Sequence, residues 1–171
     1  MINVKDGTEH YILALTIWRE ARNQIAAAQH GVAFTVLNRK ARPGWWGTTV
    51  DEICCKKWQY SSLTDPKDPQ LTKWPLVSDS SWRIAWIAAG EVLDGVVSNP
   101  VPGADSYYDD SIKDNPPAWA KTAQFVGKIG ALNFFNVDHD TELVTVAAAA
   151  TTAGGSDLDG RLRSFLSGGA G

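Results

Sequence analysis

Over the first forty residues apolar side chains return at steps of three and four, a period that leaves room for little except two helices packed together. Thr8 and Glu9 open the first run, which continues through Tyr11, Ile12, Leu15, Trp18 and Arg22 behind a capping residue. Asn23 and Gln24 interrupt it. The second run, residues 25–41, repeats the pattern with Ile25, Ala28, Val32 and Val36, joined by Ala33 and Leu37, and Pro43-Gly44 closes it. A third helix is predicted over residues 82–93, capped by Ser80 and Ser81 and stopped by Asp94-Gly95. Between the second and third, residues 45–79 read as one long irregular stretch holding four of the eight tryptophans. A loop of that length inside a compact domain is usually functional. Further on, a Pro/Gly segment at residues 100–103 leads into residues 104–110. Asn115-Pro116-Pro117 then starts a short helix near residues 119–125, and residues 127–137 read as extended. No clear strand alternation and no internal repeat stand out, so the expected fold class is mostly α, with room for a small β element.

The 171 residues suffice for one domain with a hydrophobic core and are too few for two. The predicted division is a domain at 1–137 and a tail at 138–171. Residues 145–156 are rich in Ala, Thr and Gly, and residues 168–171 are almost featureless. Between them Leu158, Leu162, Phe165 and Leu166 share one helical stripe behind Ser156 and Asp157. That tail reads either as a frayed end or as a helix that grips a partner.

Charge and cysteine narrow the chemistry. Sixteen Lys and Arg stand against nineteen Asp and Glu, for a net charge of −3. A chain built to hold nucleic acid would carry a basic surplus, so that class of partner is not expected. Cys54 and Cys55 are adjacent and read as free thiols. The histidines, His10, His30 and His139, share no ligand-like spacing, so neither a metal nor a cofactor is expected. Residues 1–9 are polar, without the basic and apolar regions of a secretory signal, and no apolar run could span a bilayer. The expectation is a protein made in the cytoplasm, with no membrane insertion.

One side chain carries most of the chemical interest. Leu13, Thr16, Ile17 and Glu20 fall on one face of the first helix, which sets Glu20 among apolar neighbours in the last turns. Burial removes hydration, and the negative end of the helix dipole repels a carboxylate; both favour the protonated form. A glutamate held protonated near neutrality is what a general acid for a glycosidic oxygen requires. The alternative is a structural glutamate paired with Arg19, Arg22 or Arg39, and pattern alone favours that bland reading.

A set of short motifs shifts the balance. Ile17-Trp18-Arg19-Glu20-Ala21-Arg22, then Gln29-His30-Gly31-Val32-Ala33 and Val36-Leu37-Asn38-Arg39, are followed by Trp58-Gln59-Tyr60-Ser61. Gly103-Ala104 through Tyr107-Tyr108, Pro117-Ala118-Trp119, and Ile129-Gly130 to Phe134-Phe135 complete the series. In this order they resemble the SleB-type cell-wall hydrolase family, which includes spore-cortex-lytic enzymes and phage lysins, over about residues 14–135. The resemblance implies a lysozyme-like single domain acting on the glycan strand of peptidoglycan, with Glu20 as the catalytic residue. It implies cleavage between N-acetylmuramic acid and N-acetylglucosamine as a lytic transglycosylase, leaving 1,6-anhydro ends. Gln59, Tyr60 and Ser61 would then wall the sugar subsites, with Tyr107, Tyr108 and Phe135 lining the opposite side. Trp18, Trp82 and Trp86 lie on helical faces and read as core, whereas for Trp45, Trp46 and Trp74 sugar stacking and loop packing are equally open.

The chain departs from the family pattern where a second glutamate usually follows, here Asn23-Gln24, and where a histidine commonly precedes the aromatic pair, here Leu132-Asn133. Asp109-Asp110 follows the tyrosines. An ordinary glycosidase needs a second carboxylate, and Asp65, Asp105 and Asp109 are the candidates, none singled out by its context. Single-acid chemistry fits the text better. A wall-cleaving enzyme without a signal needs another route out, so a phage setting is expected, through a holin or carried in a virion. There the tail could bind a phage structural protein. The rival from another class is a non-catalytic virion structural or glycan-binding protein on the same scaffold.

Overall fold

The structure, a computed structural model, describes residues 4–137; the predicted tail helix, with Leu158, Leu162, Phe165 and Leu166, lies outside the described residues. The helices are α1 (Val4–Ala21), α2 (Ala26–Ala41), α3 (Pro43–Trp46), α4 (Val50–Cys55), α5 (Ser61–Thr64) and α6 (Ser80–Leu93). The strands are β1 (Ser106–Asp109), β2 (Gln124–Ile129) and β3 (Leu132–Asn136), with 3-10 turns at Asp110–Ile112 and Ala118–Lys121. The three long helices fall where the apolar period placed them, though α1 begins four residues before Thr8 and Asp79, not a serine, caps α6 through its side chain. The stretch at residues 45–79 contains the end of α3 and two short helices, α5 and α4, the latter with a Thr49–Glu52 capping box that closes both ways. The expected helix near residues 119–125 is a single 3-10 turn that gives way to β2.

Helix α1 is the central helix of the described residues. From Leu13 to Arg19 seven consecutive residues are buried, so the helix is enclosed on all sides and not along one stripe. It packs against α6, α4, α2 and α5. Thr16 survives in that interior because its hydroxyl donates to the Ile12 carbonyl at 2.8 Å. Trp18 is core as expected, with its indole N–H shared between Asp79 Oδ2 and Ser81 Oγ at 3.0 and 2.9 Å. Trp86 is not core: it is 38% exposed on α6 and stacks on His10 at 4.0 Å.

The sheet is antiparallel in the order β1-β3-β2. A two-residue turn, Gly130-Ala131, joins β2 to β3, with Gly130 at φ +60°, a conformation a glycine adopts without strain. The turn leans on Gln24, whose Oε1 accepts from the Ala131 N–H at 3.2 Å. Strand β1 is held from the end of α2. Asn38 Nδ2 donates to the Val101 and Ala104 carbonyls, Arg39 Nε to the Asp105 carbonyl at 2.6 Å, and Arg42 to the Gly103 carbonyl at 3.0 Å.

The sheet meets α2 through a close contact. Gly31 faces the ring of Phe134, fully buried on β3, and a Cβ built at Gly31 would lie 2.6 Å from Phe134 Cζ. Gly31→Ala should gain about 1 kcal/mol of helix propensity and lose about 1–3 kcal/mol to overpacking, because the ring has nowhere to retreat. Urea denaturation should therefore show a net loss of stability. A more stable variant would mean that the strand can move away from the helix.

Candidate active site

Three elements converge on Glu20. It lies in the last turn of α1; Ser62, on α5, donates its hydroxyl to Glu20 Oε1; and Tyr107, on β1, donates to Oε2 at 2.8 Å. Burial raises the Glu20 pKa above the ordinary carboxylate value; the two donated hydrogen bonds oppose that rise, the nearby charge of Asp68 adds to it, and the charge of Arg39 takes a smaller part away. Burial likewise pushes the Tyr107 phenol well up, so Tyr107 stays a neutral donor. The Glu20 side chain is packed round by protein, yet the residue is only half-buried and keeps a window to solvent.

The alternative of a structural ion pair fails on the disposition of the arginines. Arg19 donates to the carbonyls of Ser62, Leu71 and Lys73, Arg22 to the Trp18 carbonyl and Gln70 Oε1, and Arg39 to the Asp105 carbonyl. None forms a salt bridge with Glu20 among the described residues. A carboxyl packed round by protein, held by neutral donors and joined to no cation by a salt bridge, is one that can keep its proton.

The expected sugar-binding residues are only partly brought together. Tyr107 reaches the carboxyl directly. Tyr60 lies beneath the site, 2% exposed, with the Arg39 guanidinium 4.9 Å from its ring centroid and its hydroxyl 3.3 Å from Thr35 Oγ1. It is a floor rather than a wall. Ser61 is exposed and donates to Asp68 Oδ2 at 2.6 Å, and Gln59 is half-buried in the turn before α5. Tyr108 and Phe135 fall on the other face of the sheet from Tyr107, because neighbours along a strand point in opposite directions. There Phe135 stacks on Tyr108 at 5.5 Å and meets Trp119 and Phe125 edge-on. The tyrosine pair is thus divided between two faces. Among the tryptophans left open, Trp46 packs under Arg39 at 4.4 Å and is buried, while Trp45 and Trp74 are exposed.

Two residues escaped the sequence reading. Ser62 was hidden by its neighbour: Tyr60 and Ser61 match the motif, but only the turn of α5 decides which serine faces Glu20. Asp68 sits in the irregular stretch with no motif about it. Of the candidates for a second carboxylate, Asp105 is fully buried, accepting from Arg42 Nη2 at 3.3 Å and from the Val137 N–H at 3.0 Å. Asp109 accepts from the Ser111 N–H and Asp65 from the Lys67 N–H, so both close local turns. At the departures from the family pattern, Gln24 braces the hairpin, Leu132 is buried on β3 and Asn133 donates to Asp110. No cluster of three or more metal-ligating side chains occurs among the described residues, and none of their helices is long and apolar enough to cross a membrane.

A family model described as Cell Wall Hydrolase matches residues 23–135. The chain belongs to the cell wall hydrolase family. The matched segment contains Ser62, Tyr107, Asn38 and Arg39, and begins just past Glu20. Two solved structures share the hydrolase fold. The catalytic domain of the Bacillus cereus SleB protein aligns with TM-score 0.60 at 20% identity, covering 79% of this chain and 94% of that one. The catalytic domain of the germination-specific lytic transglycosylase SleB from Bacillus anthracis aligns with TM-score 0.61 at 20% identity, covering 79% and 99%. The mostly α, lysozyme-like architecture is therefore that of the SleB catalytic domain. No curated protein sequence matches the chain.

The raised pKa of Glu20 has a consequence for stability. The folded-state pKa lies above the unfolded one, so protonated Glu20 contributes stability that is complete below the ordinary carboxylate range and is lost as pH rises through the folded value. Glu20→Gln cannot ionise. Its Tm should exceed that of the wild type at neutral and alkaline pH, and the gain should vanish below about pH 4. An equal gain at every pH would show that Glu20 carries no ionisation cost.

Proposed function

We propose that this cell wall hydrolase cleaves peptidoglycan glycan strands between N-acetylmuramic acid and N-acetylglucosamine, as a lytic transglycosylase with Glu20 as the catalytic residue. The observation that carries this reading is a half-buried carboxyl with a raised pKa, held by two neutral hydroxyl donors and, among the described residues, by no salt bridge. Membership of the family and likeness to a fold that includes a lytic transglycosylase support it.

The chemistry uses one carboxyl group twice. Protonated Glu20 donates to the departing glycosidic oxygen as the bond to C1 breaks. The carboxylate so formed is stabilised by the O–H groups of Ser62 and Tyr107, both already aimed at it. It then accepts the proton of the sugar's own C6 hydroxyl as O6 closes on C1. The 1,6-anhydro ring forms, and Glu20 regains its proton. No water is consumed, and neither a metal nor a cofactor enters the scheme.

Purified protein should release 1,6-anhydromuropeptides from bacterial sacculi, read by mass spectrometry. Glu20→Gln should lose activity by about 100-fold to 10,000-fold with its circular dichroism unchanged. The alkaline limb of the rate profile should lie above the ordinary glutamate range. Tyr107→Phe should move that limb to still higher pH, because it removes a hydrogen bond that favours the ionised form. Products with free reducing ends would replace the transglycosylase step by hydrolysis and make Asp68 the carboxylate to substitute. A folded wild type inert on sacculi at several pH values would leave a non-catalytic glycan-binding or structural protein.

A further inference from the structure

Arg19 stands next to Glu20 in the chain and is 7% exposed, yet its guanidinium makes no salt bridge among the described residues. Its hydrogen bonds run to three main-chain carbonyls. Nη1 donates to Ser62 at 2.9 Å, and Nη2 to Leu71 at 2.9 Å and to Lys73 at 2.8 Å. The Ser62 carbonyl is open to such a donor because α5 is only four residues long, too short to satisfy its own carbonyls. One face of the guanidinium is covered by the Trp74 ring, 5.0 Å away at the centroid.

We propose that Arg19 is a positioning residue for the catalytic carboxyl: by binding the Ser62 carbonyl and the far end of the same loop, it holds the Ser62 hydroxyl on Glu20. This deepens the proposed function and rests on it. The two ends of Ser62 are gripped from adjacent residues of α1, its carbonyl by Arg19 and its hydroxyl by Glu20. Because both grips come from one rigid helix, the serine can drift from Glu20 only if Arg19 lets go of the main chain.

The arrangement answers two demands together. A cation turned toward Glu20 would stabilise the carboxylate and strip the proton from it near neutrality, whereas this charge is directed at carbonyl dipoles. The planar fork of donors spans carbonyls from residues 62, 71 and 73, which a single ammonium cannot do in the same geometry. Arg19 is too buried to reach a glycan, so its effect on the reaction passes through Ser62.

The test reads Glu20 directly, independent of turnover. The ionisation of Glu20 is followed by its side-chain carboxyl carbon resonance in the full chain, for wild type, Ser62→Ala, Arg19→Lys and the double variant. Ser62→Ala should raise the midpoint, since a donor to the charged form is lost. Arg19→Lys should raise it by a similar amount, and the double variant should show no further rise. An unchanged midpoint in Arg19→Lys, or shifts that add in the double variant, would overturn the proposal. If Arg19→Lys does not fold, the wild-type guanidinium nitrogens decide: hindered rotation with separate Nη signals is expected, and one averaged signal overturns it. On sacculi, Arg19→Lys should lower kcat and leave KM unchanged. A wild type inert on sacculi would sink the proposed function while the titration still judged Arg19.

Discussion

Enclosure of α1 on every side is the constraint from which the site follows. A helix buried from Leu13 to Arg19 cannot send its polar residues to water, so each must find a partner inside. Thr16 turns back on its own helix, Arg19 reaches across to the carbonyls of the loop that follows α5, and Glu20 receives hydroxyls from α5 and β1. The same burial that makes the carboxyl costly to ionise also requires neutral donors around it. Acid strength and local architecture therefore have one cause.

The site is assembled from parts distant in sequence, and its precision depends on how those parts are tied. The end of α2 provides one tie: Asn38, Arg39 and Arg42 grasp the main chain between Val101 and Asp105, just ahead of β1. That grip sets where Tyr107 stands relative to Glu20. Arg39 also lies over the rings of Trp46 and Tyr60, so the floor of the site and the strand beside it share one support. Residues that match the family's motifs thus act at one remove from the carboxyl, through main-chain hydrogen bonds.

The long helices were legible because burial leaves a periodic trace, and α1, α2 and α6 occupy the segments where that trace is strongest. The sheet was less so. Its strands run four to six residues, and β2 shifts register between Phe125 and Gly127, which breaks the alternation that would announce it. Tyr107 and Tyr108 appeared as a pair for a related reason. Adjacent aromatics are alike in the text, but the pleat sends one to Glu20 and the other into a cluster with Phe135 and Trp119. Ser62 was obscured by Ser61, since a serine's role depends on which way one turn of helix points it.

Pattern alone was enough for a mostly α domain whose first helix carries a glutamate in apolar company in its last turns, together with the ordered motifs of a cell wall hydrolase. These are local and periodic properties, written into neighbouring residues by the pitch of a helix. Tertiary structure alone decided that Glu20 meets Ser62 and Tyr107, that Arg19, Arg22 and Arg39 are engaged elsewhere, and that Asp105, Asp109 and Asp65 serve other bonds. The reason is physical: a side chain's charge state is set by whatever surrounds it in space, and the partners of Glu20 stand 42 and 87 positions away along the chain.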